Sequence, residues 1–230
     1  MKQVYIIDEH HPRLLLFFAG WGADETPFKM YRPAASDFMV CYDYRSPDFD
    51  ASVLEAYREI NLVGWSMGVW AASQTLSQPG LSGTSGKALP VANSIAINGT
   101  PYPIDEHRGI PPAIYRGTAD GLTGASLHKF LRRMCADGAA FRSFLEITPR
   151  RPLEELKEEL TEIEKRYRAS GPGTFHWQQA VTGSNDRIIP PANQRHAWET
   201  LGTPVLQTED AHYQEALFRH YLQELWNNAL

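Results

Sequence analysis

Cysteine is scarce in this chain, which has 230 residues and only two cysteines, Cys41 and Cys135. Two cysteines are too few for a disulfide framework or for a metal site built from thiolates. Long hydrophobic stretches are also absent, since no segment approaches the roughly 20 consecutive apolar residues of a membrane-spanning helix. The apolar run at residues 4–7 is too short to act as a secretion signal. We therefore expect a cytoplasmic protein that does not cross a membrane.

Positive charge is in short supply as well, because 22 basic side chains stand against 27 acidic ones and the formal net charge is −5. This balance argues against a general role in binding nucleic acid or an anionic membrane surface. The sequence shows no residue cluster with the spacing of metal ligands, and no glycine-rich phosphate loop after a predicted strand. We therefore expect no nucleic-acid partner, no membrane partner, no metal and no cofactor.

What the sequence does contain is an alternation of apolar strands with helices. Strands are predicted at residues 4–7, 14–18, 38–42, 60–63, 91–97, 175–182 and 205–207, and helices at 51–58, 69–76, 192–200 and 213–227. Continuous apolar segments such as 14–18 are typical of strands that are covered on both faces. The alternation predicts a single α/β domain, residues 1–230, with a mainly parallel central sheet and helices on both faces.

The alternation stops at about residue 101. Pro103, Pro111 and Pro112 predict an irregular stretch, and three helices follow without an intervening strand, at about 127–134, 139–145 and 152–169. We interpret residues 101–172, approximately, as a small helical lid inserted in the domain over one end of the sheet. A glycine- and serine-rich surface turn is predicted at residues 80–87.

The segment Gly64-Trp65-Ser66-Met67-Gly68 lies between a predicted strand and a predicted helix. It matches the Gly-x-Ser-x-Gly nucleophile elbow, in which a serine occupies a sharp and strained turn. Glycine at both ends of the motif avoids collisions that larger side chains would make. So short a pattern also arises by chance, and the flanking strand and helix therefore carry the interpretation. The sequence predicts that Ser66 is a nucleophile.

A serine hydroxyl needs a base within hydrogen-bonding reach. In α/β-hydrolases an acid and then a histidine follow the serine along the chain, in loops at the carboxyl edge of the sheet. Asp186 and His212 fit this order, since each follows a predicted strand. Only His212 directly follows the last strand, which favours it as the base. The alternatives are Asp43, Asp120 and Asp210 for the acid, and His107, His176, His196 and His220 for the base.

Two backbone amides are needed to hold the oxyanion that forms during acyl transfer. Met67 supplies one, because its amide lies at the start of the predicted helix. We expect the other from Trp21, in the loop after the strand at 14–18, where Gly20 and Gly22 allow the backbone to approach a ligand closely.

Several longer segments resemble the BioG family of pimeloyl-[acyl-carrier protein] methyl ester esterases. They are Phe18-Ala-Gly-Trp-Gly22, Val63-Gly-Trp-Ser-Met-Gly-Val-Trp-Ala71, Ala96-Ile-Asn-Gly-Thr-Pro-Tyr-Pro-Ile-Asp105, Gly109-Ile-Pro-Pro-Ala-Ile114 and Phe130-Leu-Arg-Arg-Met-Cys135. The resemblance covers most of the chain. It implies an α/β-hydrolase of biotin synthesis that releases methanol from the methyl ester of pimeloyl-[acyl-carrier protein], with Ser66, Asp186 and His212 at the triad positions.

An acyl carrier protein is then the expected partner, and an apolar channel beneath the lid is the expected route for its acyl chain. Plausible wall residues, each also compatible with ordinary core packing, are Phe28, Trp65, Trp70, Phe130 and Met134. Carrier proteins are acidic, and residues 128–151 carry six basic side chains against two acidic ones. This candidate docking surface, which could equally be a solvated helix face, comprises Lys129, Arg132, Arg133, Arg142, Arg150 and Arg151.

The following helix is rich in glutamate and is expected to present only a solvated face, with Glu154, Glu155, Glu158, Glu159, Glu162 and Glu164. Two other functions stay open at this point. One is a general short-chain carboxylesterase or thioesterase, and the other is a non-catalytic binding protein with a hydrolase fold.

Overall fold

The structure of the protein is a computed structural model, which describes residues 1–78 and 89–226. The turn predicted at 80–87 lies outside the described residues. The described strands form one seven-stranded sheet in the order β1-β3-β2-β4-β5-β6-β7. Strand β1 pairs with β3 in antiparallel fashion, and all other neighbouring pairs are parallel. The strands are β1 (Lys2–Ile7), β2 (Arg13–Phe18), β3 (Asp37–Tyr42), β4 (Glu59–Trp65), β5 (Val91–Ile97), β6 (Gln179–Gly183) and β7 (Val205–Thr208).

Helices cover the sheet, and they form two groups according to their position in the chain. Helix α1 follows β4 directly, α6 connects β6 to β7, and α7 follows β7, whereas α2 to α5 occur together between β5 and β6. The described residues also form three short 3₁₀-helices, at Thr26–Phe28, Ala51–Ala56 and Glu224–Trp226. The α-helices are α1 (Met67–Leu76), α2 (Pro112–Asp120), α3 (Gly124–Met134), α4 (Gly138–Glu146), α5 (Leu153–Ser170), α6 (Pro191–Leu201) and α7 (Glu215–Leu222). Among the described residues, no helix is both long enough and apolar enough to span a bilayer.

The core follows from the apolar runs of the central strands. Residues 14–18 of β2 are completely buried, as expected for a strand covered on both faces. In the parallel register, Phe18 lies opposite Gly64 of β4, and Ile97 of β5 lies opposite Trp65. The loops that leave β2, β4 and β5 therefore emerge side by side at one edge of the sheet.

The structure differs from the prediction in the region rich in proline. Residues 112–120 form a helix, α2, where the sequence suggested an irregular stretch. Pro111 and Pro112 occupy the N-cap and the first helical position, where proline disrupts no helical hydrogen bond. Four helices, and not three, therefore lie between β5 and β6.

Several other boundaries also differ from the prediction, and the main differences are in β6, in the segment 51–58 and in the last helix. Strand β6 begins at Gln179, four residues later than predicted, because Trp177 turns into the core and donates its indole N–H to Ser73 Oγ at 2.9 Å. The segment predicted as a helix at 51–58 is the 3₁₀-helix Ala51–Ala56. The last helix ends at Leu222 and is followed by a separate 3₁₀ turn.

Helix α5 packs its apolar stripe against the rest of the protein. Leu156, Leu160 and Ile163 are buried at spacings of three and four residues. The Tyr115 hydroxyl of α2 donates to the carbonyl of Leu160 at 2.8 Å, which joins two helices of the predicted lid. One prediction for α5 is wrong: the Glu159 side chain is completely buried and is not part of a solvated face.

Shortening a buried leucine of α5 tests this packing. We expect Leu160→Ala to lower the free energy of unfolding by about 2–5 kcal/mol, because it leaves a cavity among buried side chains. Leu206→Ala is the matched control, since Leu206 is 45% exposed, and it should change stability by no more than about 0.5 kcal/mol. Urea unfolding measures both values. Equal losses in the two variants would contradict the packing described for α5.

Candidate active site

Ser66 lies between β4 and α1 in a strained backbone conformation. Its φ of 57° and ψ of −124° are rare for a residue with a side chain. The motif needs glycine at positions 64 and 68, because the surrounding atoms leave no room for a Cβ there. A Cβ on Gly68 would lie 2.0 Å from the carbonyl oxygen of Phe18, and one on Gly64 would lie 2.7 Å from the ring of Trp177. The chain thus has the elbow geometry that the motif predicts.

The structure brings Ser66, His212 and Asp186 together in one hydrogen-bonded line. His212 Nε2 lies 3.0 Å from Ser66 Oγ, and His212 Nδ1 lies 2.8 Å from Asp186 Oδ2. All three residues are buried, with His212 only 1% exposed. In this arrangement the imidazole can accept the serine proton while the carboxylate holds its other nitrogen.

Asp186 is held in place by three further donors. Its Oδ1 accepts hydrogen bonds from the amides of Ile188 and Ile189 at 2.7 and 3.0 Å. Its Oδ2, which faces His212, also accepts one from Gln194 Nε2 of α6 at 2.8 Å. Sequence reasoning missed Gln194, because nothing in its local sequence signals a contact with a residue eight positions earlier.

The position of His212 depends on its backbone. The His212 carbonyl accepts hydrogen bonds from Trp65 Nε1 at 3.0 Å and from Asn98 Nδ2 at 3.1 Å. Asn98 Nδ2 also donates a hydrogen bond to the carbonyl of Ala211, and Asn98 Oδ1 accepts one from the amide of Gly183. Asn98, directly after β5, thus joins the end of β6 to the loop after β7. Sequence reasoning missed this role of Asn98, although the residue follows a strand directly.

The alternative acids and bases lie elsewhere. Asp43 is buried in ion pairs with Arg45 and Arg151. Asp120 is exposed at the end of α2, and Asp210 is half-buried with its carbonyl bonded to Asn185 N. The histidines that the sequence left open are all exposed, namely His107, His176, His196 and His220.

Trp21 and Met67, the two predicted oxyanion donors, line the same cavity as Ser66 and His212. Met67 is the first residue of α1, and amides at this position have no partner within their own helix. Trp21 lies in the loop after β2, and the next residue of that loop, Gly22, has a φ of 78°. Both residues therefore lie at the wall of the cavity that contains Ser66 Oγ, and their role as oxyanion donors stays a prediction.

The cavity at Ser66 is narrow and mostly apolar, with a volume of about 50 Å³. Three of the predicted wall residues, Trp65, Phe130 and Met134, line this cavity, and their contact with a substrate stays a prediction. Phe28 lines a neighbouring apolar cavity of about 40 Å³, which shares Trp65, Phe130 and Met134 as walls. Further walls of the Ser66 cavity come from the region between β5 and β6, namely Ile110, Ile114, Tyr115 and Leu160, and from Ile188 in the loop after β6.

The prediction for Trp70 is wrong. Its side chain is fully buried under α5, where Nε1 donates to the carbonyl of Gly171 at 3.2 Å and the Arg166 guanidinium lies 5.2 Å from the ring centroid. Trp70 therefore packs against the C-terminal part of α5 and does not line the Ser66 cavity. Its position four residues after Ser66 gave no indication of which side of the helix faces the site.

The predicted docking surface is also partly wrong. The Arg151 side chain is only 5% exposed and forms ion pairs with Asp43 and Glu159, so it cannot contact a partner. Arg133 is exposed and lines the Ser66 cavity. The remaining members are exposed or, for Arg132, half-buried: Lys129, Arg132, Arg142 and Arg150. Residues 1–78 and 89–226 hold no group of three or more histidine, cysteine or acidic side chains suited to a metal ion.

The fold is that of the α/β-hydrolases. A putative aryl esterase from Burkholderia cenocepacia is 14% identical to this chain and has a TM-score of 0.60, over 95% of this chain and 88% of that one. A bromoperoxidase from Bacillus anthracis is also 14% identical and has a TM-score of 0.62, over 97% and 92% of the two chains. These likenesses confirm the predicted fold class.

The chain belongs to the BioG family. Residues 1–224 match the family described as "Pimeloyl-ACP methyl esterase BioG". The crystal structure of BioG from Haemophilus influenzae is 36% identical and has a TM-score of 0.82, over 95% of this chain and 97% of that one. The resemblance that the sequence motifs suggested is thereby confirmed.

A Bacteroides fragilis protein named malonyl-[acyl-carrier protein] O-methyltransferase is 52% identical over 208 residues. The match includes 90% of this chain and 41% of that protein, so the chain spans about two fifths of the length of this relative.

Adding a methyl group to the elbow tests how closely α1 approaches β2. We expect Gly68→Ala to destabilise the protein by about 1–3 kcal/mol and to lower activity, because its Cβ would overlap the Phe18 carbonyl and displace Ser66. Gly117→Ala is the matched control in α2, since nothing lies within 4 Å of its added Cβ. It should stabilise by about 0.4–1 kcal/mol in urea unfolding. A stable and active Gly68→Ala protein would contradict the described contact.

Proposed function

We propose that this chain is a serine carboxylesterase that hydrolyses the methyl ester of pimeloyl-[acyl-carrier protein] in biotin synthesis. The observation that carries the proposal is the hydrogen-bonded line from Ser66 Oγ through His212 to Asp186, with distances of 3.0 and 2.8 Å. The line ends in a cavity whose walls include both candidate oxyanion donors. This is the set of groups that acyl transfer to a serine requires.

The mechanism follows from these positions. Ser66 Oγ attacks the ester carbonyl while His212 Nε2 takes its proton, and the Trp21 and Met67 amides stabilise the oxyanion. His212 then gives the proton to the departing methoxide, which leaves as methanol. The resulting acyl-enzyme is attacked by water, again with His212 as base, and collapse of the second tetrahedral intermediate releases the free carboxylic acid and restores Ser66. Asp186 stabilises the imidazolium in both halves of the reaction.

Two of the comparisons support a methyl ester on a carrier protein as the substrate. The family description specifies a pimeloyl-ACP methyl ester. The Bacteroides fragilis relative is named as an enzyme that methylates a malonyl group on an acyl carrier protein. A carboxyl methylation of carrier-bound substrate is the class of reaction that would supply a methyl ester to this chain.

A surface groove between α2 and α3 provides a route to Ser66. It shares Ile114, Thr118, Phe130 and Arg133 with the catalytic cavity and has a volume of about 450 Å³. Lys129 also lines this groove. A thin, flexible acyl arm can pass along such a groove, whereas a folded carrier domain stays outside.

The same route explains selectivity between two reactive carbonyls. The substrate carries a thioester at the carrier end and a methyl ester at the other end. If the methyl end enters first, the ester carbonyl reaches Ser66 and the thioester stays in the groove. Selectivity then comes from placement, because a nucleophile reacts only with a carbonyl held at the correct distance and angle.

Labelling and hydrolysis test the catalytic role of Ser66. We expect one equivalent of a fluorophosphonate to label the wild-type protein, and we expect Ser66→Ala to abolish labelling. The same variant should reduce the rate of methyl ester hydrolysis by about 10³-fold or more. Mass spectrometry and methanol release provide the two measurements. Folded wild-type protein that takes no label would overturn the proposal and would favour a non-catalytic binding protein.

Charge reversal tests whether the substrate is bound to a carrier. Lys129, Arg132 and Arg142 are suitable because they do not line the cavity at Ser66, unlike Arg133. We expect their combined replacement by Glu to lower kcat/KM for a carrier-bound methyl ester about 10- to 100-fold. Hydrolysis of a free short-chain methyl ester should change less than about twofold, because that substrate needs no docking.

The control variant replaces Lys157, Lys165 and Arg168 with Glu, which changes the net charge by the same amount at exposed positions of α5. It should leave both substrates unaffected. Equal losses on both substrates in the first variant would contradict docking at this surface. A wild-type enzyme that prefers free short-chain esters would instead favour a general carboxylesterase, and one that releases the carrier thiol would favour a thioesterase.

A further inference from the structure

A glutamate that is completely buried joins α5 to the loops after β2 and β3. Glu159 Oε1 accepts the amide of Tyr44 at 2.8 Å. Its Oε2 accepts Arg151 Nη1 at 2.7 Å and lies 3.4 Å from the amide of Gly22. The proposed catalytic steps use neither Glu159 nor Arg151. A buried charged pair of this kind is costly to desolvate, and its retention therefore calls for an explanation.

The charges around this pair are arranged to hold it. Arg151 Nη2 lies 3.0 Å from Asp43 Oδ1, and Arg151 Nε lies 3.5 Å from Glu155 Oε2. Burial raises the pKa of Glu159, and the charge of Arg151 opposes that shift. For Asp43, burial is outweighed by the hydrogen bonds from Arg45 and the charge of Arg151, which hold its pKa at about 2. Arg151 thus lies among three carboxyl groups.

The β2 loop, residues 19–25, is attached to the α5 region at four points. Trp21 Nε1 donates to the carbonyl of Leu156 at 2.9 Å. The amide of Gly22 faces Glu159, and the carbonyl of Ala23 lies 3.4 Å from Arg151 Nη1. Asp24 Oδ2 accepts the amide of Arg150 at 2.7 Å. All four attachments connect to residues 150–159.

The β2 loop needs such attachments because of its sequence. Glycine flanks Trp21 on both sides, and Gly22 has a φ of 78°. Glycine gives a loop conformational freedom, which allows close approach to a substrate but leaves the direction of an amide undetermined. An oxyanion donor is effective only when its direction is set before the charge develops.

We propose that Glu159 is a positioning residue, which works with Arg151 to fix the β2 loop so that the Trp21 amide points to the oxyanion beside Ser66. This inference rests on the proposed esterase function. If Glu159 has this role, α5 must stay in place during the reaction. Movement of α5 together with an opening lid would release the β2 loop and disorganise the oxyanion hole. Any opening of the site must then involve α2 to α4, and movement of α2 would break the hydrogen bond between Tyr115 and Leu160.

The test compares ground-state binding with oxyanion binding in Glu159→Gln. The variant keeps the side-chain shape but places an amide donor where Oε1 or Oε2 now accepts. We expect kcat and kcat/KM for a short-chain methyl ester to fall together by about 10- to 100-fold with little change in KM, as for an interaction made only in the transition state. The dissociation constant of a trifluoromethyl ketone, which forms an oxyanion on Ser66, should rise by the same factor.

Two controls separate positioning from loss of stability. Glu158→Gln, at an exposed neighbouring position, should leave both quantities unchanged. Ile163→Ala removes buried apolar atoms from the same helix one turn further on, at a residue that takes part in none of the four attachments to the β2 loop. It should lower Tm but leave the ketone affinity per active site unchanged, when sites are counted by fluorophosphonate labelling.

If Glu159→Gln does not fold, Trp21→Phe provides the test, because it removes the hydrogen bond to Leu156 and keeps an aromatic ring. It should weaken binding of the ketone more than binding of the substrate. Unchanged ketone affinity per active site in the folded variants would overturn the inference. That result is distinguishable from failure of the proposed function, in which the wild-type protein itself takes no label.

Discussion

The active-site region depends on the close approach of the first turn of α1 to the end of β2. Gly68 leaves no room for a Cβ beside the carbonyl of Phe18, and this contact holds Ser66 at a φ of 57°. Such a backbone conformation costs on the order of 1–3 kcal/mol and persists only where the surrounding packing enforces it. The strain has a clear consequence, since it places the serine hydroxyl above the sheet and beside the loop that contains Trp21.

The sheet supplies the rest of the site through its parallel register. Loops that leave β4, β6 and β7 reach the same edge and carry Ser66, Asp186 and His212 respectively. Asn98, which follows β5, binds the backbone of two of these loops. The edge of the sheet therefore brings Ser66, His212 and Asp186 together, and hydrogen bonds between Asn98 and the backbone hold their loops in place.

The helices between β5 and β6 contact the site in two different ways. Helices α2 and α3 line the cavity and the groove with apolar and basic side chains, and the proposed function uses this groove as the route of an acyl arm. Helix α5 instead reaches the loops after β2 and β3 through a buried network of charges. A basic segment and an acidic helix that are adjacent in sequence thus serve different purposes, and Arg151 belongs with the acidic helix.

The sequence by itself determined the strands, most of the helices, the elbow and the family, because apolar periodicity and short motifs are local properties of the chain. It also supplied the order Ser66, Asp186, His212, and the structure brings those three side chains within hydrogen-bonding distance. Only the tertiary structure decided that Trp70 packs against α5 and not in the cavity wall, that α2 is a helix that begins with two prolines, and that Arg151 is buried. It also decided the burial of Glu159, whose partner Tyr44 lies 115 positions away in the chain. Burial of a charge depends on such distant contacts, and these cannot be read from the residues next to Glu159 in the sequence.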